Sequence, residues 1–197
     1  MSFRFLPDEP VASIKLRSGQ TVMVDPSARQ GGTCLEVIDG VARVYCPCEE
    51  TEGMTLAFLQ EGDQLCTDRL CSEGICVEAL TALCFRSDAD ANPDTGYDPV
   101  NEWTLQLLRI RHLGSAEKRL HALLALFVNR LGRRCGDWCD LPFRITHDRI
   151  GELIGSTRVT STRLISKLRN SDQLDTPSGE TNLRLAAALI ESAPVLG

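Results

Sequence analysis

Apolar residues between Val11 and about Phe85 come in short runs broken by turn formers: VASIKL, TVMV, CLEVI, VARVYC, MTLAFL and ICVEALTALCF. Short runs rich in Val, Ile, Leu and aromatic residues predict strands, and six or more without a helical pattern between them predict a closed or sandwich-like antiparallel roll. Asp39-Gly40, between CLEVI and VARVYC, predicts a hairpin, because both residues tolerate the positive φ of a type I′ turn. Glu61-Gly62-Asp63 marks a second turn.

The period then changes. Arg86 to Pro99, RSDADANPDTGYDP, has the Asp, Asn, Pro and Gly content of a linker. Val100, Trp103, Leu107 and Ile110 follow at steps of three, four and three, a heptad seam that predicts a helix pairing with a second copy of itself. Residues 99–113 would make a rod of only ~22 Å. Leu105 and Leu108 fall on another face, which leaves a helix lying on the roll as the alternative. Ser115 can cap the next helix, whose Leu120, Leu123, Leu124, Phe127 and Leu131 form a wide apolar stripe, with Gly132 as a stop and Arg130, Arg133 and Arg134 towards its negative end.

The segment Ile145 to Arg169, ITHDRIGELIGSTRVTSTRLISKLR, predicts helix, three-residue turn and helix. Thr146 can cap the first helix, Asp148 suits its opening turn, and Ile150, Leu153 and Ile154 form its apolar face. Gly155 stands where a chain leaving a helix often needs a positive φ, and Ser156 or Thr157 can cap the second helix. In that helix Ser161, Leu164, Ile165 and Leu168 share one arc, and Arg158, Val159, Thr162, Arg163 and Ser166 share the other. The second arc suits base reading in a major groove: Arg pairs bidentately with guanine O6 and N7, and Val159 can meet a thymine methyl. Ser156, Thr157, Thr160 and Lys167 remain to hold phosphates. Further on, Gln173-Leu174-Asp175, a turn at Pro177-Ser178-Gly179 and Asn182-Leu183-Arg184-Leu185 predict a wing hairpin; AAALIESAPVLG has weak helical character.

Composition sharpens this picture. The 197 residues carry a net charge of −6, but unevenly. Residues 1–98 hold 7 Lys or Arg against 17 Asp or Glu, a net −10, and residues 99–197 hold 14 against 10, a net +4. Such asymmetry fits an acidic sensing or scaffolding domain joined to a nucleic-acid-binding one. No apolar run reaches the ~18 residues of a membrane span, and the N-terminus lacks a signal core, so a cytoplasmic location and no membrane partner are expected. The nine cysteines are then expected to be mostly reduced thiols.

These features together resemble the CRP/FNR family of bacterial transcription regulators. Ile154 to Arg163, IGSTRVTSTR, is especially similar to its cyanobacterial nitrogen-regulator branch, and IDGVARVYC and LAFLQEGDQL stand where the family has its recurrent roll strands. The resemblance implies an α+β protein: an N-terminal antiparallel β-roll of the jelly-roll, cyclic-nucleotide-binding type over 1–96, a dimerisation helix over 97–114 and a C-terminal winged helix-turn-helix over 115–197. It implies a homodimer on double-stranded DNA, with Arg158 and Arg163 reading bases, Thr157 and Thr160 on the backbone, and RNA polymerase as a further candidate partner. Valine at 159 replaces the glutamate of the cyclic-AMP branch and cannot accept from cytosine N4, which favours a GTA-N8-TAC-like palindrome. Ser161 departs from the aliphatic residue of relatives; its hydroxyl is expected to bond back to a carbonyl one turn earlier.

The segment Gly62 to Thr81 is shortened relative to the family's ribose-phosphate cassette, with Cys66 and Thr67 near its Gly and Glu and Arg69 as its only cation. Neither a cyclic nucleotide nor any other cofactor is therefore expected. Two other readings stay open: a redox- or metal-sensing regulator using Cys46, Cys48, Cys66, Cys71, Cys76, Cys135 and Cys139, and a β-roll interaction module that binds no DNA. An enzyme is not expected, since His112, His121 and His147 all lie outside the strand region and no nucleophile or phosphate-loop signature occurs.

Overall fold

The computed structural model describes residues 2–5, 11–24, 34–48, 51–66, 74–88, 97–177 and 182–195. The chain forms two compact units, 1–104 and 105–197.

The first unit is built from two sheets. One has the order β1-β3-β8-β5-β6: β1 (Ser2–Phe5), β3 (Thr21–Val24), β8 (Ile75–Ala79), β5 (Ala42–Cys48) and β6 (Thr51–Leu59). The other has the order β2-β9-β4-β7: β2 (Val11–Leu16), β9 (Leu83–Asp88), β4 (Cys34–Asp39) and β7 (Gln64–Cys66). Described pairings are antiparallel except β1 with β3. Val22, Val44, Ala57 and Val77 from the first sheet, and Leu35, Val37, Leu65, Leu83 and Phe85 from the second, are buried and supply the roll's apolar core.

The hairpin expected at Asp39-Gly40 does not form. β4 and β5 lie in different sheets, and the chain uses the positive φ of Gly40 (+93°) to cross from one to the other. A Cβ at Gly40 would stand 2.1 Å from the Ala82 carbonyl oxygen, so this corner packs directly on a second corner, where the single run ICVEALTALCF divides into β8 and β9. The two corners are tied: Leu80 N donates to Val41 O at 2.9 Å and Val41 N to Thr81 Oγ1 at 2.8 Å. Local turn chemistry reported the φ but not the pairing.

Cys34 and Cys66 are register partners on β4 and β7 and form a disulfide, contrary to the expectation for this pair of thiols. Thr67, Arg69 and Cys71, part of the shortened cassette, lie outside the described residues, as do Ser178 and Gly179 of the expected wing turn. Among the described residues no group of His, Cys, Asp and Glu is arranged to hold a metal ion, and no helix is long and apolar enough to cross a membrane.

Helix α1 (Pro99–Arg111) starts on Asp98, whose Oδ1 accepts from Val100 N at 3.0 Å and Asn101 N at 3.3 Å. Of the residues expected at a dimer seam, Val100, Trp103, Leu107 and Ile110, none is exposed in the single chain. Trp103 is 2% exposed with its ring 5.2 Å from Phe58, Leu107 and Ile110 are 6% and 0% exposed, and Val100 is half-buried. Heptad spacing marks one apolar face; it does not say whether that face meets a second copy or the helix's own chain. The outward face instead carries Leu105 and Leu108, 42% and 53% exposed.

In the second unit α2 (Ala116–Leu131) is capped by Ser115, which accepts from Lys118 N at 3.2 Å, and it packs on α3 (His147–Ile154), α4 (Arg158–Asn170) and α5 (Ala187–Glu191). A small sheet of order β10-β11-β13-β12 joins β10 (Arg133–Cys135), β11 (Trp138–Leu141), β13 (Leu183–Ala186) and β12 (Leu174–Asp175). Arg133 and Arg134 thus lie on a strand rather than at a helix end. Phe127 and Phe143 meet edge to face at 6.1 Å in this unit's core.

Candidate nucleic-acid interface

The helix-turn-helix forms as its sequence predicts. Thr146 accepts from Arg149 N at 3.3 Å to open α3, Gly155 takes the left-handed conformation with φ +59°, and Thr157 accepts from Thr160 N at 3.2 Å to open α4. Gly151 permits the close crossing of the two helices. A Cβ there would lie 2.9 Å from Ser156 O and 3.3 Å from Ser161 Oγ. Ser161 is fully buried and donates to Thr157 O at 3.1 Å, the bond expected of a hydroxyl placed among aliphatic neighbours.

Ser161, Leu164, Ile165 and Leu168 are buried, which turns the opposite arc of α4 outward. Arg158, Val159 and Arg163 are exposed there, Val159 to 78%. Arg158 Nε lies 3.6 Å from Asp148 Oδ2, so a carboxylate in the opening turn of α3 steadies a side chain that stays largely in solvent. Thr162 is half-buried, with Oγ1 2.9 Å from His147 Nδ1. Its hydroxyl is therefore already engaged within the protein.

The residues expected at phosphates lie around this arc. Thr157 is exposed, Ser156 and Thr160 are half-buried, and Thr157 Oγ1 donates to Thr160 Oγ1 at 3.1 Å. Lys167 is exposed and its Nζ lies 2.7 Å from Glu117 Oε1 of α2. The hydrogen bond and charge of Lys167 hold the Glu117 carboxyl below the usual carboxylate range. Burial pushes the neighbouring His121 imidazole below its ordinary value, against the opposing pull of Glu117.

Arg144 is a functional-region residue that the sequence pattern missed. Its Nη2 donates to Pro177 O at 3.0 Å and its Nε to Asn182 O at 3.3 Å, so it clamps both stems of the wing, whose strands pair Leu174 with Leu185 and Asp175 with Arg184. A single arginine in a connecting segment carries no local signal of a contact more than thirty residues away.

The chain is similar to known proteins along most of its length. A family model described as the cyanobacterial CRP family N-terminal domain matches residues 14–100, and one described as the Crp-like helix-turn-helix domain matches 118–190. The regulatory protein CysR of Synechococcus elongatus is 29% identical over 144 residues, covering 71% of this chain and 70% of that protein. The global nitrogen regulator of Nostoc sp. is 36% identical over 73 residues, 37% of this chain and 31% of that protein. In fold, the chain is similar to TTHA1359, a CRP/FNR-family transcriptional regulator of Thermus thermophilus (TM-score 0.68, 18% identity, 93% of this chain and 100% of that one). It is also similar to FixK2 of Bradyrhizobium japonicum (TM-score 0.67, 16% identity, 95% and 99%). The chain belongs to the CRP/FNR family of DNA-binding transcription regulators; it is not an enzyme.

Proposed function

We propose that the protein acts as a homodimer on a palindromic GTA-N8-TAC-like site without a cyclic nucleotide, with 1–96 as its effector-type roll, 97–114 as its dimer helix and 115–197 as its DNA-binding domain. The outward arc of α4 carries this reading: Arg158, Val159 and Arg163 stand free of the core on a helix whose other face is fully packed. Arg158 and Arg163 read guanine edges, Val159 and the methyl of Thr162 meet thymine methyls, and Ser156, Thr157, Thr160 and Lys167 hold phosphates. RNA polymerase is the partner that activation would require.

The dimer contact moves to the outward face of α1. Leu105 and Leu108 on the helix, and His112 just past its end, are exposed at steps of three and four, a short heptad seam that leads into the DNA-binding domain. Two recognition helices held by such a seam enter successive major grooves about 34 Å apart. Sedimentation of the chain with a palindromic duplex tests this: two chains per duplex are expected, and one chain per duplex would overturn it.

The Cys34–Cys66 disulfide favours a second, redox-responsive reading, because β7 is a three-residue edge strand that pairs only with β4 among the described strands. Under that reading a dithiol reductant, itself oxidised to its disulfide, converts the bridge to two thiols and changes DNA affinity. Unchanged affinity on full reduction would remove it.

A further inference from the structure

Helix α3 has no basic residue in its last turn, yet its final carbonyls are occupied. Ser156 N donates to Gly151 O at 2.8 Å and Gly155 N to Glu152 O at 3.3 Å, the usual closure by a left-handed cap. Two further acceptor sites are taken from outside the motif. Arg111, in the last turn of α1, donates through Nη2 to Glu152 O and through Nε to Leu153 O at 3.4 Å. Its guanidinium fork supplies both the missing donors and the missing positive charge at the negative end of α3.

The same arginine stands over the turn of the motif, since a Cβ at Gly155 would lie 3.9 Å from Arg111 Cγ. Behind it the end of α1 is fixed: Leu113 N donates to Ile110 O at 3.0 Å, and Arg119 Nη1 of α2 donates to Leu113 O at 3.2 Å. Arg111 is thus one helical turn from Leu108, on the exposed seam, and in direct contact with the end of α3, four residues before the recognition helix.

We infer that Arg111 is a positioning residue that fixes the angle between the dimer helix and the helix-turn-helix, and so the distance and phase between the two recognition helices. This rests on the two-half-site reading above. It does not concern which bases are read, since Arg111 bonds to α3 and not to α4.

The test measures affinity for duplexes in which the half-sites are separated by seven, eight or nine base pairs. One base pair rotates a half-site by about 35° and shifts it by about 3.4 Å, so a rigid dimer discriminates among spacers and a loosened one does not. The native chain is expected to favour one spacer by about tenfold or more, Arg111→Ala to reduce that preference to about threefold or less, and Arg111→Lys, which keeps one donor and the charge, to restore part of it. Base preference within each half-site stays unchanged. Arg111→Ala weakening every spacer by one factor, or weakening none, would overturn the inference while leaving the native spacer preference, and hence the two-half-site reading, intact. A native chain indifferent to spacer length would overturn that reading and this inference with it.

Discussion

Lys167 Nζ lies 2.7 Å from Glu117 Oε1, so the cation proposed to meet a DNA phosphate is held by a carboxylate of α2. Both side chains are exposed, and an ion pair of this kind contributes at most about 1 kcal/mol. On the proposed reading, DNA binding exchanges one anionic partner of Lys167 for another. Glu117→Gln is expected to tighten binding to cognate and scrambled duplexes alike, by about threefold, with little effect on stability. Anisotropy titrations at two salt concentrations measure this; unchanged affinity would mean that Lys167 never leaves Glu117.

The proposed dimer contact predicts different outcomes for substitutions on the two faces of α1. Trp103 is buried against Phe58, and Trp103→Asp is expected to cost at least about 3 kcal/mol of folding stability. Leu108 is 53% exposed, and Leu108→Asp is expected to leave the single chain folded while converting dimers to monomers in sedimentation. A folded Leu108→Asp dimer would move the interface elsewhere.

How far the fold was legible from sequence follows from these two helices. The helix-turn-helix was readable to the residue, because each of its signals is local: Thr146 and Thr157 as caps, Gly155 as a left-handed stop, Ser161 bonded within its own turn. The face of α1 was readable but its partner was not, since a repeat reports burial without naming the surface. Gly40 announced its φ and concealed a change of sheet, because strand pairing is settled by contacts distant in sequence. The burial of Arg43, within the IDGVARVYC strand, was not legible. A charge alternating with apolar residues on a strand reads as solvent-facing, yet it is 3% exposed, 3.3 Å from Glu78, its register partner, and bonded to Thr55 at 2.8 Å.

Gly151 holds the motif's closest approach. In Gly151→Ala the added methyl meets the Ser156 carbonyl, part of the backbone turn, so relief requires the two helices to move apart. A loss of about 1–3 kcal/mol is expected in chemical denaturation, with weakened specific binding. Unaltered stability would show that the turn yields freely.

His121 sets a pH dependence. Burial lowers its pKa in the folded chain, so below about 6.5 the unfolded chain binds the proton more readily than the folded one. The stability present above that value is lost as pH falls towards the folded value. Glu117, also lowered, acts in a separate and more acidic window, below about 4.5. His121→Gln is expected to flatten the stability profile just below about pH 6.5 without flattening the acid limb. Parallel profiles for the two proteins would contradict the assignment.

The central claim, that the outward arc of α4 reads sequence, is tested most directly by titrating the native chain and Arg158→Ala against GTA-N8-TAC and scrambled duplexes at physiological salt without added ligand. The account predicts a preference of about a hundredfold for the native chain, and an Arg158→Ala variant that loses about 1–3 kcal/mol on the palindrome and almost nothing on the scrambled duplex. Equal binding of the native chain to both duplexes, or equal losses by the variant on both, would contradict it.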